Sequence, residues 1–105
     1  MITAVFSKSG NKYTGFSVKG HSGYASAGQD IVCSAVSSAV MLTANTLTDF
    51  LNSEAKVEVY EDSVLLYDDG TNEAGQAVLA ALYQHLKSIS AQYPKNIKVT
   101  VCRSA

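Results

Sequence analysis

Apolar and polar positions along the chain alternate between two rhythms, and the switches mark the elements. Ile2–Ser7 is a short β-rich run, Gly10-Asn11 is a turn signal, and Tyr13–Lys19 resumes with Thr14, Phe16 and Val18 on one face. A period of two puts every second side chain on the same side of a strand, so this segment predicts a β-hairpin. From Ile31 the period lengthens. Val32, Val36, Ala39, Val40, Thr43, Leu47, Phe50 and Leu51 recur at helical spacing, with Asp30 as the N-cap and Asn52-Ser53 as the stop. Val57 and Val59 then alternate with Glu58 and Tyr60, Glu61-Asp62 makes a tight connection, and Val64–Tyr67 answers as the second strand of another hairpin. Asp68–Asn72 is a turn leading into a second stripe of Val78, Ala81, Leu82, His85, Leu86 and Ile89. Tyr93-Pro94 ends that helix, because proline disfavours helical geometry in the residue before it. Ile97, Val99 and Val101 alternate as a last strand.

The order β-β-α-β-β-α-β predicts an α/β protein of the α+β sandwich type, with two helices on a five-stranded mixed sheet. A chain of 105 residues, 47% hydrophobic and 16% charged with one proline, fits a single domain over residues 1–105 and leaves no room for a linker. The formal net charge is -1 and no basic stripe is visible, which disfavours direct nucleic-acid binding. Met1–Gly10 lacks the pattern of a signal peptide, and no segment is expected to reach transmembrane length. A cytoplasmic location without a membrane partner is therefore expected, where the 2 cysteines stay thiols. No Cys-x-x-Cys or His-x3-His pair is present, so neither a metal nor another cofactor is expected. Glu54, Glu58, Glu61, Asp62, Asp68, Asp69 and Glu73 face only Lys56 over the stretch 54–73. Such a run is ordinarily the solvated face of a hairpin, and alternatively a surface that attracts a basic partner.

The chemistry gathers in Gly20–Ser38. His21 follows the second strand, a loop of small residues intervenes, and Cys33 stands in the first turn of the helix that Asp30 opens. A cysteine on a helix is ordinarily inert packing, and Cys102 and His85 are expected to be buried or half-buried packing residues. Position changes the odds for Cys33. With Asp30 as N-cap it occupies N3, where unpaired N–H groups and the helix dipole favour an anion. A free thiol titrates near about 8.5, and holding one ionised at neutral pH takes roughly 2.7 kcal/mol for a two-unit shift. A helix terminus typically supplies about 0.3–1 kcal/mol, so a cationic partner is needed as well. His21 is the available imidazole, and Gly20, Gly23 and Gly28 let the loop fold back toward Cys33. The alternative is a solvent-exposed loop histidine with no partner.

Gly20-His21-Ser22-Gly23-Tyr24-Ala25 followed by Gly28-Gln29-Asp30-Ile31-Val32-Cys33-Ser34-Ala35-Val36-Ser37 resembles the signature of the bacterial ribosomal-processing cysteine protease family. The strand–helix order over essentially the whole chain resembles that family's fold too. The resemblance implies a small cytoplasmic endopeptidase, a homodimer, that removes the N-terminal extension of a large-subunit ribosomal protein precursor. Cleavage would follow an aromatic residue and precede a small one. It implies Cys33 as nucleophile and His21 as base. Asp30 matches an acidic position that either orients His21 or caps the helix, and the local chemistry favours capping. The loop Gly20, Ser22, Gly23, Tyr24, Ala25, Ser26, Ala27, Gly28 and Gln29 would bind substrate and close over an extended peptide. Backbone N–H groups at the helix start, Cys33's own among them, would meet the oxyanion, and the acidic 54–73 stretch would steer a basic substrate. Two competing readings are a non-catalytic module binding a ribosomal or assembly partner, with Cys33 buried, and a Cys–His hydrolase acting on a small ester.

Overall fold

The computed structural model describes residues 1–21, 23, 25 and 30–104. Five strands, β1 (Ile2–Ser9), β2 (Lys12–Lys19), β3 (Lys56–Val59), β4 (Ser63–Tyr67) and β5 (Ile97–Ser104), form one sheet in the order β3-β4-β2-β1-β5. Two helices, α1 (Ile31–Asn45) and α2 (Glu73–Gln92), complete the predicted order β-β-α-β-β-α-β. The hairpins read from the sequence are present as the antiparallel pairs β1–β2 and β3–β4. What joins them is the antiparallel pair β2–β4, while β5 adds to β1 in parallel and makes the sheet mixed. Each helix therefore carries the chain across intervening strands: α1 from β2 over β4 to the edge strand β3, and α2 from β4 over β2 and β1 to the edge strand β5.

The alternation along β1 and β2 sorts side chains as expected. Ile2, Ala4 and Phe6 from β1 and Phe16 and Val18 from β2 are buried beneath the helices. Val32, Val36, Val40, Ala44 and Leu47 descend from the α1 side, and Leu79, Leu82 and Leu86 from α2. Each of the larger side chains among these, from valine to phenylalanine, contributes about 1.5–3 kcal/mol by leaving water. Phe6 anchors the aromatic part of this core, edge-on to Tyr83 with ring centroids 5.3 Å apart. Asn72 caps α2 by accepting the Gly75 N–H at 2.8 Å. The Gln76 amide then pins α2 to β2, accepting from the Tyr13 N–H at 2.7 Å and donating to the Tyr13 carbonyl at 2.8 Å.

Three expectations change. Residues Thr46–Phe50 continue α1 as a π-helical turn, closed by the Leu51 N–H donating to the Thr46 carbonyl at 3.0 Å. The wider turn breaks the 3.6-residue phase, so Leu47 stays buried while Phe50 rotates out to 80% exposure. Second, Ile31–Phe50 makes 20 continuous helical residues apolar enough to cross a membrane by length and composition, contrary to the expected absence of such a segment. Its buried stripe packs on the sheet, which is the role of a core helix. Third, His85 and Cys102 are exposed rather than packed. His85 sits on the outer side of α2, and Cys102 lies on the edge strand β5, opposite Ser7 of β1.

Candidate active site

Strand β2 ends at Lys19, and the next residues turn toward α1 under two constraints. The Gly20 N–H donates to the Asp62 carbonyl at 2.9 Å, tying this corner to the β3–β4 turn. Gly20 also adopts φ +94°, and a Cβ there would lie 2.6 Å from the Met1 carbonyl oxygen. Only glycine fits both the left-handed backbone and this close approach. His21, the next residue, is thereby delivered exposed at the end of the sheet.

Cys33 arrives from the other side. Asp30 is in the extended conformation expected of an N-cap, and its Oδ1 accepts the Cys33 N–H at 2.9 Å. The Asp30 carbonyl takes the Ser34 N–H and the Ser34 hydroxyl, each at 3.1 Å. The buried Asp30 side chain thus caps α1 and fixes Cys33 at N3, half-buried. This bears on the oxyanion. The Cys33 N–H, expected to help hold it, is given to the Asp30 carboxylate in this structure.

His21 and Cys33 line one cleft of about 340 Å³. Its α1 wall adds Val36, Ser37, Val40 and Met41, and the end of the sheet supplies Ile2, Val18 and Val64. The β3–β4 turn, Val59 to Ser63, completes the lining. An apolar bed with a thiol and an imidazole on its walls can hold an apolar side chain while a nucleophile and a proton carrier reach the adjoining carbonyl. The sequence did not reveal that the β3–β4 turn belongs here, since its approach to Gly20 is purely tertiary. Val59 and Tyr60 of this turn are 60% and 56% exposed, an accessibility that only the fold decides. Tyr60 donates its hydroxyl to Glu58 at 3.1 Å, and this bond raises the phenol above its ordinary pKa by holding its proton.

Of the expected substrate loop, Gly20 lines the cleft, Gly23 and Ala25 are exposed, and Ser22, Tyr24, Ser26, Ala27, Gly28 and Gln29 lie outside the described residues. Among the described residues, no three His, Cys, Asp or Glu side chains gather as a metal site.

Comparison with known proteins follows the same lines. A Bacillus subtilis protein described as "Ribosomal processing cysteine protease Prp" is 27% identical over 108 residues, covering 95% of this chain and 96% of its own. The fold superposes with a TM-score of 0.92 on S. aureus Prp in complex with a covalently linked product peptide, at 22% identity over 97% of this chain and all 100% of that one. A second S. aureus Prp structure, in complex with a substrate peptide, gives a TM-score of 0.86 at 21% identity, with the same coverage of 97% and 100%. The family model described as "Cysteine protease Prp" matches residues 1–98, and the chain belongs to that family.

Proposed function

We propose that this protein is an endopeptidase that removes the N-terminal extension of a large-subunit ribosomal protein during ribosome assembly, cutting after an aromatic residue and before a small one. The observation that carries the reading is that Cys33 and His21, which come from different elements, open into one apolar-floored cleft. The peptide complexes of the S. aureus relatives support a peptide as the ligand. The floor formed by Ile2, Val18, Val36 and Val40 suits an aromatic side chain, which would bury its ring there.

The Cys33 thiolate attacks the scissile carbonyl carbon, and the oxyanion is met by helix-start N–H groups other than that of Cys33. The His21 imidazolium donates its proton to the leaving amine as the C–N bond breaks, leaving a thioester on Cys33. Water, deprotonated by His21, attacks the thioester, and the thiolate leaves with His21 protonated again. Asp30 acts as the cap that sets the position of the sulfur, and the loop 22–29 binds substrate. The protein works in the cytoplasm, without metal or cofactor and without nucleic acid or membrane as a direct partner. Two copies associate through the outer faces of the helices. There, Leu42 is 69% exposed beside an apolar trough of about 530 Å³ that also includes Val78, Leu82 and His85. Leu42→Glu is expected to shift the protein toward monomer in sedimentation.

Purified Cys33→Ala and Cys33→Ser are expected to fold and to leave the ribosomal precursor uncut. Cleavage by Cys33→Ala at the wild-type rate would eliminate Cys33 as nucleophile. Alkylation at neutral pH separates the protease from a binding module. Cys33 should label fast, more slowly in His21→Ala, whereas Cys102 should label slowly despite its exposure.

A further inference from the structure

The sheet ends on β3, and the hydrogen bonds around β4 fix which backbone groups that edge offers. In an antiparallel ladder, successive residues of a strand turn their N–H and C=O groups alternately toward the partner and away from it. The Tyr60 N–H donates to the Ser63 carbonyl at 2.8 Å, so Tyr60 faces β4. By alternation Glu58 and Lys56, in register with Leu65 and Tyr67, face β4 as well. The other side of β4 has the matching phase. The Asp62 carbonyl accepts the Gly20 N–H and the Asp68 N–H donates to the Thr14 carbonyl, so its even-numbered residues face β2 and its odd-numbered ones face β3. Val57 and Val59 are left with N–H and C=O groups directed out of the sheet, where among the described residues no strand lies to pair with them. This edge runs into the cleft. Val59 lines it, as do Val64, its register partner on β4, and Val18, the partner of Val64 on β2. The three valines make one apolar row across the sheet that stops at the edge.

We propose that the substrate peptide binds as a further strand on the outer edge of β3, its backbone hydrogen-bonded to Val57 and Val59. The inference rests on the protease reading and names how the same cleft holds its substrate. An unpaired strand edge is a template for another extended chain. Residues directly opposite each other in a sheet carry their side chains on one face. A peptide residue opposite Val59 therefore continues the valine row, which leads back into the cleft that Cys33 lines. That continuity makes the peptide the occupant. The length of the edge argues the same way: β3 has 4 residues, of which Val57 and Val59 face outward, a contact short enough for a ligand that must leave after cleavage. Backbone pairing also separates two tasks. The ladder holds the chain extended whatever its sequence, and the side chains on the cleft face supply selectivity.

The test is a scan in which peptides spanning the cleavage site carry one backbone N-methyl group, at each position in turn. Affinity is measured on Cys33→Ala and kcat/KM on the wild-type protein. An N-methyl group deletes one donor and keeps the side chain, so a loss of about tenfold is expected at alternate positions of one flank, with little change between them. Val59→Pro removes an outward N–H that the ladder to β4 does not use, a position where an edge strand tolerates proline. Combined with Cys33→Ala and shown to be folded by circular dichroism, it should bind the unmethylated peptide about tenfold more weakly and flatten the alternation. Val59→Ala, which keeps the N–H, should preserve the alternation. N-methylation tolerated at every position, or alternate losses unmoved in folded Val59→Pro, overturns the proposal; the scan on the wild-type protein decides even where the proline variant does not fold. A Val59→Pro protein that binds peptide normally but sediments as a smaller species gives the edge to a second copy of the chain and overturns it too. A wild-type protein that cuts no unmethylated peptide would instead overturn the protease reading.

Discussion

Asp30 allows two roles that look alike in a static structure, and substitution separates them by orders of magnitude. The carboxylate accepts the Cys33 N–H at 2.9 Å from a nearly inaccessible position, 6% exposed. As an N-cap its contribution is about 0.5–2 kcal/mol, and asparagine caps about as well as aspartate. Asp30→Ala should therefore cost about 1 kcal/mol or somewhat more, a fall of roughly 4–8 °C in Tm for a domain of this size. Asp30→Asn should remain close to wild type in stability, because its amide oxygen still takes the Cys33 N–H. Its activity should stay within about tenfold of wild type. Where a carboxylate instead orients a catalytic imidazole, the same Asp-to-Asn change costs on the order of 10⁴ in kcat by favouring the wrong tautomer. Thermal unfolding followed by circular dichroism, with cleavage kinetics on a fluorogenic peptide, reads both effects. A stable Asp30→Asn protein whose kcat has collapsed would refute the capping argument and make Asp30 an orienting residue. An Asp30→Ala protein as stable as wild type would refute it from the other side.

Gly20→Ala adds a Cβ at 2.6 Å from the Met1 carbonyl oxygen at φ +94°. It should lower Tm and depress cleavage more than its stability loss explains, because His21 is the next residue; a Gly20→Ala enzyme with unchanged kcat/KM would contradict this. Leu79, fully buried on α2, should cost about 2–5 kcal/mol on truncation to Ala in urea unfolding. A value below 1 kcal/mol would place it outside the core. The Asp69 carboxyl lies below its ordinary pKa because the Thr71 N–H and then its hydroxyl donate to the carboxylate. Its folded pKa is below the unfolded one, so its stabilisation is present at neutral pH and disappears as pH falls through the carboxylate range. Asp69→Asn should make stability less dependent on pH between about 5 and 2 than in wild type, and an unchanged acid limb would count against the turn.

The strands, both hairpins and both helix starts were legible because local rules decide them. Period-two alternation buries Ile2, Ala4 and Phe6, and Asp30 is a cap by side-chain chemistry alone. Failures occurred where tertiary geometry overrides the local period. Phe50 sat in phase with the α1 stripe until a π-helical turn moved it to solvent. Val59 alternates like a core residue, yet β3 is an edge strand and its end serves the cleft. Residue type alone puts Cys102 in the packing, yet β5 is the other edge and leaves it exposed. At the site, Asp30 as the cap of α1 with Cys33 at N3 could be read from the sequence, and the structure puts His21 and Cys33 on the lining of one cleft. The approach of Glu61 and Asp62 could not, because it depends on β4 pairing with β2 rather than on any sequence neighbour.

The account stands or falls on whether the sulfur of Cys33 becomes bonded to substrate during turnover. Mixing the wild-type protein with precursor, quenching in acid within the first turnover and mapping the intact mass by fragmentation would test this directly. The account predicts an acyl adduct on Cys33, of the mass of the released extension less one water, that decays at neutral pH and is absent in Cys33→Ala. Cleavage that proceeds with no adduct at Cys33, or with one only at Cys102, would contradict it.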